Sequence, residues 1–325
     1  MGLVLPSERV LISDGGLATE LEARGHDLSD WLWSARLLSD APHEIVAVHA
    51  AYFRAGATIA TTASYQASFD GFAARGVGRD EAIGLLRRSV ELAKTARDDV
   101  GADDAWVAAS VGPYGAAPAD GSEYRGRYGL SVASLTRWHR PRLETLAAAG
   151  ADLLALETVP DVDEGEALVD LVRSTGVPAW LSYTIDGPRT RAGQPLDEAF
   201  AVAAGVDEIV AVGVNCCAPE DVLPAIGVIA DIGKPAIVYP NSGERWDDQR
   251  RAWTGRRRFS AELARQWVAA GARIVGGCCR VGPADIAEMA KLTRRAGATP
   301  ASGGEPAQAL CADSFRYSST VSMIP

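Results

Sequence analysis

The chain has 325 residues, 47% of them hydrophobic, enough for one large α/β domain with a full core. Its formal net charge of −10 disfavours nucleic acid or an anionic membrane surface as a partner, since both attract basic patches. No apolar run approaches the roughly 18 residues of a membrane span, and residues 1–9 lack the charged start and apolar core of a signal peptide, so a cytoplasmic protein is expected.

Eight short β-type runs follow one another, at 9–13, 58–64, 105–111, 152–158, 178–185, 209–215, 235–239 and 273–275. Most are continuously apolar rather than alternating, the pattern of parallel strands buried on both faces. Helical patterns lie between them at 43–55, 80–100, 131–149, 163–175, 219–232 and 260–270. Three of these end in Ala-Gly-Ala, at Gly56, Gly150 and Gly271, where glycine suits the left-handed position that closes a helix. Ser131, Pro219 and Ser260 mark helix starts. Strands alternating with helices predict a single-domain (β/α)₈ TIM barrel over residues 1–295. The alternative is an open doubly wound sheet. Its G-x-G-x-x-G signature is missing after the first strand, where Asp14-Gly15-Gly16-Leu17 stands instead. Residues 115–128 read as a long loop above the third strand. Residues 296–325, rich in Gly, Ser, Ala and Pro without periodicity, read as a flexible tail in which Cys311 has no assigned role.

In such barrels the catalytic residues stand at the C-terminal ends of the strands. Here those ends carry Asp14-Gly15-Gly16, Thr61-Thr62-Ala63-Ser64-Tyr65, Gly112-Pro113-Tyr114, Glu157-Thr158, Tyr183 with Asp186, Asn215-Cys216-Cys217, Asn241-Ser242-Gly243-Glu244 and Gly276-Gly277-Cys278-Cys279. The four histidines and three lysines all fall elsewhere. That disfavours a histidine base and leaves a Schiff-base mechanism without a lysine.

The cysteines are the strongest signal. One pair ends the sixth strand and the other ends the eighth, with a single strand between them on the rim. In a cytoplasmic protein, paired cysteines are more often metal-binding or catalytic than disulfide-bonded. Three thiolates converging on one ion leave the fourth tetrahedral position open, as in a catalytic zinc site. Cysteine is also a common small core hydrophobe, but two vicinal pairs at strand ends favour metal. Spacing alone does not choose between Cys216 and Cys217. Asp14 and Glu157 each end an apolar strand. They suit the ammonium group of an amino acid, although an acid capping a helix N-terminus fits Asp14 equally well. Tyr65, Tyr114 and Trp246 stand near the same rim, where ordinary packing accounts for any one of them alone.

At these residues the chain resembles the homocysteine S-methyltransferase family, over roughly residues 9–293. The match includes Asp14-Gly15-Gly16 with Thr19-Glu20-Leu21-Glu22, Thr61-Thr62-Ala63-Ser64-Tyr65-Gln66, Glu157-Thr158, Gly213-Val214-Asn215-Cys216 and Gly276-Gly277-Cys278-Cys279. The resemblance implies a barrel holding Zn²⁺ through Cys216, Cys278 and Cys279, with Cys217 a neighbour. It implies L-homocysteine bound by Asp14, Glu157 and the backbone at Gly15 and Gly16, with Asn215 assigned to the same substrate. Tyr65 matches a tyrosine near the methyl-transfer path. A free thiol is mostly protonated at neutral pH, whereas a zinc-bound thiol is deprotonated. Four thiolates on Zn²⁺ carry a net charge of −2, so the substrate sulfur stays electron-rich.

Relatives that use betaine or methylfolate carry additional regions or whole domains. Here the barrel pattern closes by about Arg295, so the short branch is expected, with S-methylmethionine or S-adenosylmethionine as donor and methionine as product. The segment 239–244, followed by Trp246, also resembles that branch. Glu244 and the rings of Tyr65 or Trp246 are expected to attract the sulfonium cation. Two other readings are a zinc barrel acting on another thiol, including thiol-directed hydrolysis, and a non-catalytic zinc or thiol store.

Overall fold

The computed structural model describes residues 5–6, 9–28, 32–118, 120–247 and 252–296. Eight parallel strands form one sheet: β1 (Leu11–Ile12), β2 (Ile59–Thr61), β3 (Trp106–Val111), β4 (Leu153–Val159), β5 (Ala179–Tyr183), β6 (Ile209–Asn215), β7 (Ala236–Tyr239) and β8 (Ala272–Val275). From β2 to β8 each strand pairs with the next in sequence, and β8 pairs with β1. The remaining gap, between β1 and β2, is closed by backbone. Ser13 bridges Ile59 in parallel, the Thr58 N–H donates to the Ile12 carbonyl at 2.7 Å, and the Asp14 N–H donates to the Ile59 carbonyl at 3.0 Å. The result is the expected (β/α)₈ barrel.

A helix follows each strand: Pro42–Ala55, Arg79–Asp99, Val132–Ala147, Val162–Thr175, Leu196–Ala201, Val222–Ala230, Ala261–Ala269 and Pro283–Ala296. Six match the periodic patterns. The fifth has only 6 residues, too few for a periodic signal. Gly56, Gly150 and Gly271 do close helices, with φ of 102°, 76° and 113°. Ser131 and Ser260 cap helix starts by accepting from the N–H groups of Ser134 and Leu263. The expected strand 178–185 is shorter than read. Its last part leaves the barrel as a small antiparallel hairpin, Ile185–Asp186 with Arg189–Thr190, turned at Gly187 with φ 56°. A second hairpin, Arg245–Asp247 with Ala252–Thr254, follows β7.

Side chains alternate across each strand, and the two parities have different tasks. Ile12, Val107, Leu154, Leu181, Val212, Val238 and Val275 belong to the large core shared with the helices. Leu11, Ile59, Ala108, Ala155, Trp180, Ala211, Ile237 and Ile274, one from each strand, form a separate apolar plug inside the barrel. Trp180 fills it beside the three alanines, and its indole N–H donates to the Tyr239 hydroxyl at 2.9 Å. Two residues further along the same faces stand Ser13, Thr61, Ser110, Glu157, Ser182, Gly213, Tyr239 and Gly276. The plug is thus the floor of a polar layer at the C-terminal mouth.

No helix among the described residues is long and apolar enough to cross a membrane. The expected tail and Cys311 lie outside the described residues, apart from Ala296, which ends the last helix.

Candidate active site

The sulfur atoms of Cys216, Cys278 and Cys279 all lie within 4.8 Å of one another. Backbone placement achieves this. Cys216 follows β6 with φ 48°, in the left-handed region that a side-chain-bearing residue rarely adopts. That turn breaks the strand's alternation, so Cys217 goes the other way, into the core under the helices. The loop after β7 joins the two cysteine segments. The Cys216 N–H donates to the Tyr239 carbonyl at 3.3 Å, the Cys278 N–H to the Pro240 carbonyl at 2.8 Å, and the Cys279 N–H to Asn241 Oδ1 at 3.0 Å. Beyond β8 the chain folds back tightly. A Cβ on Gly277 would lie 2.1 Å from Val281 Cγ1, so only glycine fits there.

Asn215 stands immediately before the turn at Cys216. Its Oδ1 accepts from the Thr158 N–H at 2.8 Å and from the Ser182 hydroxyl at 2.6 Å, and its Nδ2 donates to Thr158 Oγ1 at 2.7 Å. Thr158 also has a positive φ, of 58°. One buried amide therefore ties the strained Thr158 to the residue that precedes the strained Cys216, whose own carbonyl accepts from the Thr184 hydroxyl at 3.2 Å.

The thiols perturb one another. Hydrogen bonds from Cys216 and then Cys278 hold the Cys279 thiol well below its usual range. Cys278 is pushed up, first by its hydrogen bond with Cys216 and then by that with Cys279. Three soft donors at this separation suit a divalent ion that takes sulfur in a small tetrahedral shell.

Two carboxylates face the same cavity, which holds about 720 Å³ with its open mouth included. Asp14 is buried. Its Oδ2 accepts from the Thr61 N–H at 2.8 Å and its Oδ1 from the Thr61 hydroxyl at 3.0 Å. Burial raises its pKa to about 7 against the pull of these bonds. Glu157 is also buried, and its Oε1 accepts the Ser110 hydroxyl. Burial raises it to about 7 as well, with Ser110 opposing and the Cys216 charge adding to the rise. Gly15 and Gly16 line the cavity beside Asp14. A Cβ on Gly15 would meet the Val281 carbonyl at 2.2 Å, and one on Gly16 the Cys278 carbonyl at 2.7 Å. The Tyr52 hydroxyl fastens this segment from behind, lying 2.9 Å from the Gly16 carbonyl and 3.1 Å from that of Val281.

The structure gathers Asp14, Gly15, Gly16, Tyr65, Glu157, Cys216, Cys278 and Cys279 around one cavity. Asn215 is not among the residues that line this cavity: it is fully buried, and its amide is committed to Thr158 and Ser182. Tyr114 packs against Tyr128 and Trp138, with ring centres 5.1 and 5.0 Å away. Glu244 is not free to attract a cation, because Arg280 bonds it at 3.0 Å and the Ser242 hydroxyl at 2.9 Å. The Trp246 side chain lies outside the described residues. Sequence reasoning missed Thr61 and Ser110 as orienting partners, and Tyr124 as a further cavity wall.

Known proteins carry the same architecture. The family model described as homocysteine S-methyltransferase matches residues 11–293. The homocysteine S-methyltransferase of Escherichia coli (strain K12) is 48% identical over 299 residues, covering 88% of this chain and 96% of its own. Homocysteine S-methyltransferase YbgG of Bacillus subtilis (strain 168) is 42% identical, over 90% of this chain and 96% of its own. A selenocysteine Se-methyltransferase from Brassica oleracea var. italica is 42% identical, over 86% of this chain and 88% of its own. The crystal structure of the homocysteine methyltransferase MmuM from Escherichia coli, in its metallated form, superposes with a TM-score of 0.79 at 46% identity, covering 88% of this chain and 97% of that one.

Proposed function

The chain belongs to the homocysteine S-methyltransferase family, and from that premise we propose a zinc-dependent transfer of a methyl group from a sulfonium donor to L-homocysteine. S-methylmethionine is the first choice of donor and S-adenosylmethionine the second. One observation carries this reading: three clustered thiols and two buried carboxylates open onto a single cavity. The donor set of Cys216, Cys278 and Cys279 fits zinc, which favours thiolate in a four-coordinate shell. When bound, the metal supplies a site where a substrate thiol is held deprotonated at neutral pH.

The remaining work belongs to the chain. Asp14 and Glu157 receive the substrate's ammonium group. Both carboxyls sit near neutrality in pKa when free, so an arriving ammonium draws them into the ionised state. Thr61 and Ser110 fix the two carboxylates before the substrate arrives, leaving little rotamer freedom to lose. The close backbone at Gly15 and Gly16 shapes the wall beside Asp14. Tyr65 and Tyr124 bound the side from which the donor approaches. Aligning thiolate, methyl carbon and leaving sulfur is the main catalytic task, worth up to about 7–11 kcal/mol in favourable cases. The methyl–sulfonium bond breaks as the new sulfur–methyl bond forms. The leaving sulfur keeps the electron pair, and a sulfonium and a thiolate become two neutral thioethers.

The test is methionine formation by the purified, zinc-loaded protein from homocysteine with S-methylmethionine, S-adenosylmethionine, betaine or methylfolate in turn. Turnover with a sulfonium is the expected result. Turnover with betaine or methylfolate alone would overturn the donor assignment.

A further inference from the structure

A second cavity opens between the helices that follow β2 and β3, and it shares no lining residue with the reaction cavity. It holds about 480 Å³ with its open mouth included. Arg79 enters it from the helix Arg79–Asp99, and Arg137 and Arg142 from the helix Val132–Ala147. Asp70 is the one acid in the lining, so the cleft carries a formal excess of two positive charges. That excess stands against the rest of a chain whose net charge is −10.

The cations are held in place without being neutralised. Arg142 is only 2% exposed. It donates to the carbonyls of Ala67, at 3.3 Å, and Gly112, and its Nε is buried without a partner. Its guanidinium packs 5.3 Å from the centre of the Trp138 ring. Burial lowers its pKa to about 10 with Glu164 opposing, so it stays a cation at neutral pH. Glu164 spends its own oxygens elsewhere, on the Tyr114 N–H, His139 and the Tyr128 hydroxyl. Arg79 stacks 4.6 Å over the Phe69 ring, and Arg137 donates to the Ser134 hydroxyl at 3.0 Å. Among the described residues none of the three forms an ion pair with a carboxylate. Asp70 is committed to Trp138, accepting the indole N–H at 2.7 Å. It thus fixes the ring against which Arg142 packs.

We propose that this cleft binds a small phosphate-bearing anion. Cations gathered in one cleft repel each other, and an anion between them turns that repulsion into attraction. Low-dielectric walls focus their field on the opening. Guanidinium forks match the oxygens of phosphate, and a doubly charged phosphate balances the excess of two. The acidic remainder of the chain repels long polyanions and leaves a small one favoured. Arg142 also braces the backbone behind Tyr65. A Cβ on Gly112, whose carbonyl Arg142 holds, would lie 2.5 Å from the Tyr65 carbonyl and 2.7 Å from its ring. The exposed Arg79 and Arg137 are therefore the positions at which to test the site without disturbing the reaction cavity.

The experiment is calorimetric titration of the zinc-loaded protein with inorganic phosphate, glycerol 3-phosphate and succinate, at one fixed ionic strength. Phosphate is expected to bind once per chain. Arg79→Gln and Arg137→Gln should each weaken it about tenfold, the scale of one charge-assisted contact, and the double variant about a hundredfold. Arg137→Lys should keep part of the affinity, since it retains the charge and loses the fork. Methionine formation and the melting temperature without phosphate should stay as in wild type. Glycerol 3-phosphate binding more tightly than phosphate identifies a phosphate ester as the occupant, and equal or weaker binding identifies free phosphate. Succinate binding more tightly than both overturns the phosphate assignment. Failure of both phosphate probes to bind, or binding that survives the double variant unchanged, overturns the site.

Discussion

The ends of β6 and β8 carry the same two letters and use them differently. At β8 both cysteines of the pair join the cluster, because Gly276 and Gly277 let the chain turn over the rim before Cys278. At β6 Asn215, not glycine, stands immediately before the pair. The turn falls on Cys216 itself, at φ 48°, and sends Cys217 into the core. A vicinal cysteine pair is therefore not a unit. The backbone conformation of its first residue decides whether one thiol or two reach the site.

The sharpest way to break that comparison is to remove thiols one at a time. Cys216→Ala, Cys278→Ala and Cys279→Ala should each lose the metal and lower methionine formation by about a thousandfold or more, the scale of losing an essential ligand group. Cys217→Ala should keep both metal and turnover, at a stability cost of about 1 kcal/mol for a small core truncation. Metal analysis beside an activity assay separates the two cases, and full occupancy in Cys278→Ala would contradict the site.

Next in size is the support of the strained turn. Asn215→Ala strands the Thr158 N–H and the Ser182 hydroxyl and releases Thr158 from the residue that precedes Cys216. Metal affinity should fall about 10–100-fold, as for other groups that orient ligands without touching the ion. Thermal unfolding should move down with it, because each stranded polar group costs about 1–3 kcal/mol. A variant with normal metal affinity would show that Cys216 holds its turn unaided.

The carboxylates offer a smaller and separate effect. Glu157→Gln should raise the KM for homocysteine about tenfold or more, by weakening one charge-assisted bond, and leave metal content alone. Unchanged kinetics would return Glu157 to a structural role. The pH dependence has a definite sign. Asp14 and Glu157 are both raised to about 7, so below that pH each is neutral in the free protein and holds no ammonium. Homocysteine affinity should therefore fall from pH 8 to pH 6.5, by about fourfold for each carboxyl that must ionise. Affinity measured by titration calorimetry should also show proton release on the acidic side.

Much of this arrangement was legible in the chain. Eight apolar runs and the Ala-Gly-Ala helix ends predicted the barrel, and the strand ends predicted the cavity. The orienting residues were not legible, for a physical reason. Stepping two residues from Ala108 and Trp180 reaches Ser110 and Ser182, but continuously apolar strands do not reveal which parity faces inward. Only the plug around Trp180 does. The task of Asn215 is also set by contact, since its partner Thr158 lies 57 positions away. Glu244 was misread because Arg280, 36 positions later, neutralises it.

The central claim is that Cys216, Cys278 and Cys279 hold one zinc ion and leave a position that the sulfur of homocysteine fills. X-ray absorption at the zinc edge, with and without homocysteine, tests it most directly. The account predicts three sulfur neighbours in the free protein and four in the complex. A sulfur count that does not change on adding saturating homocysteine would contradict it.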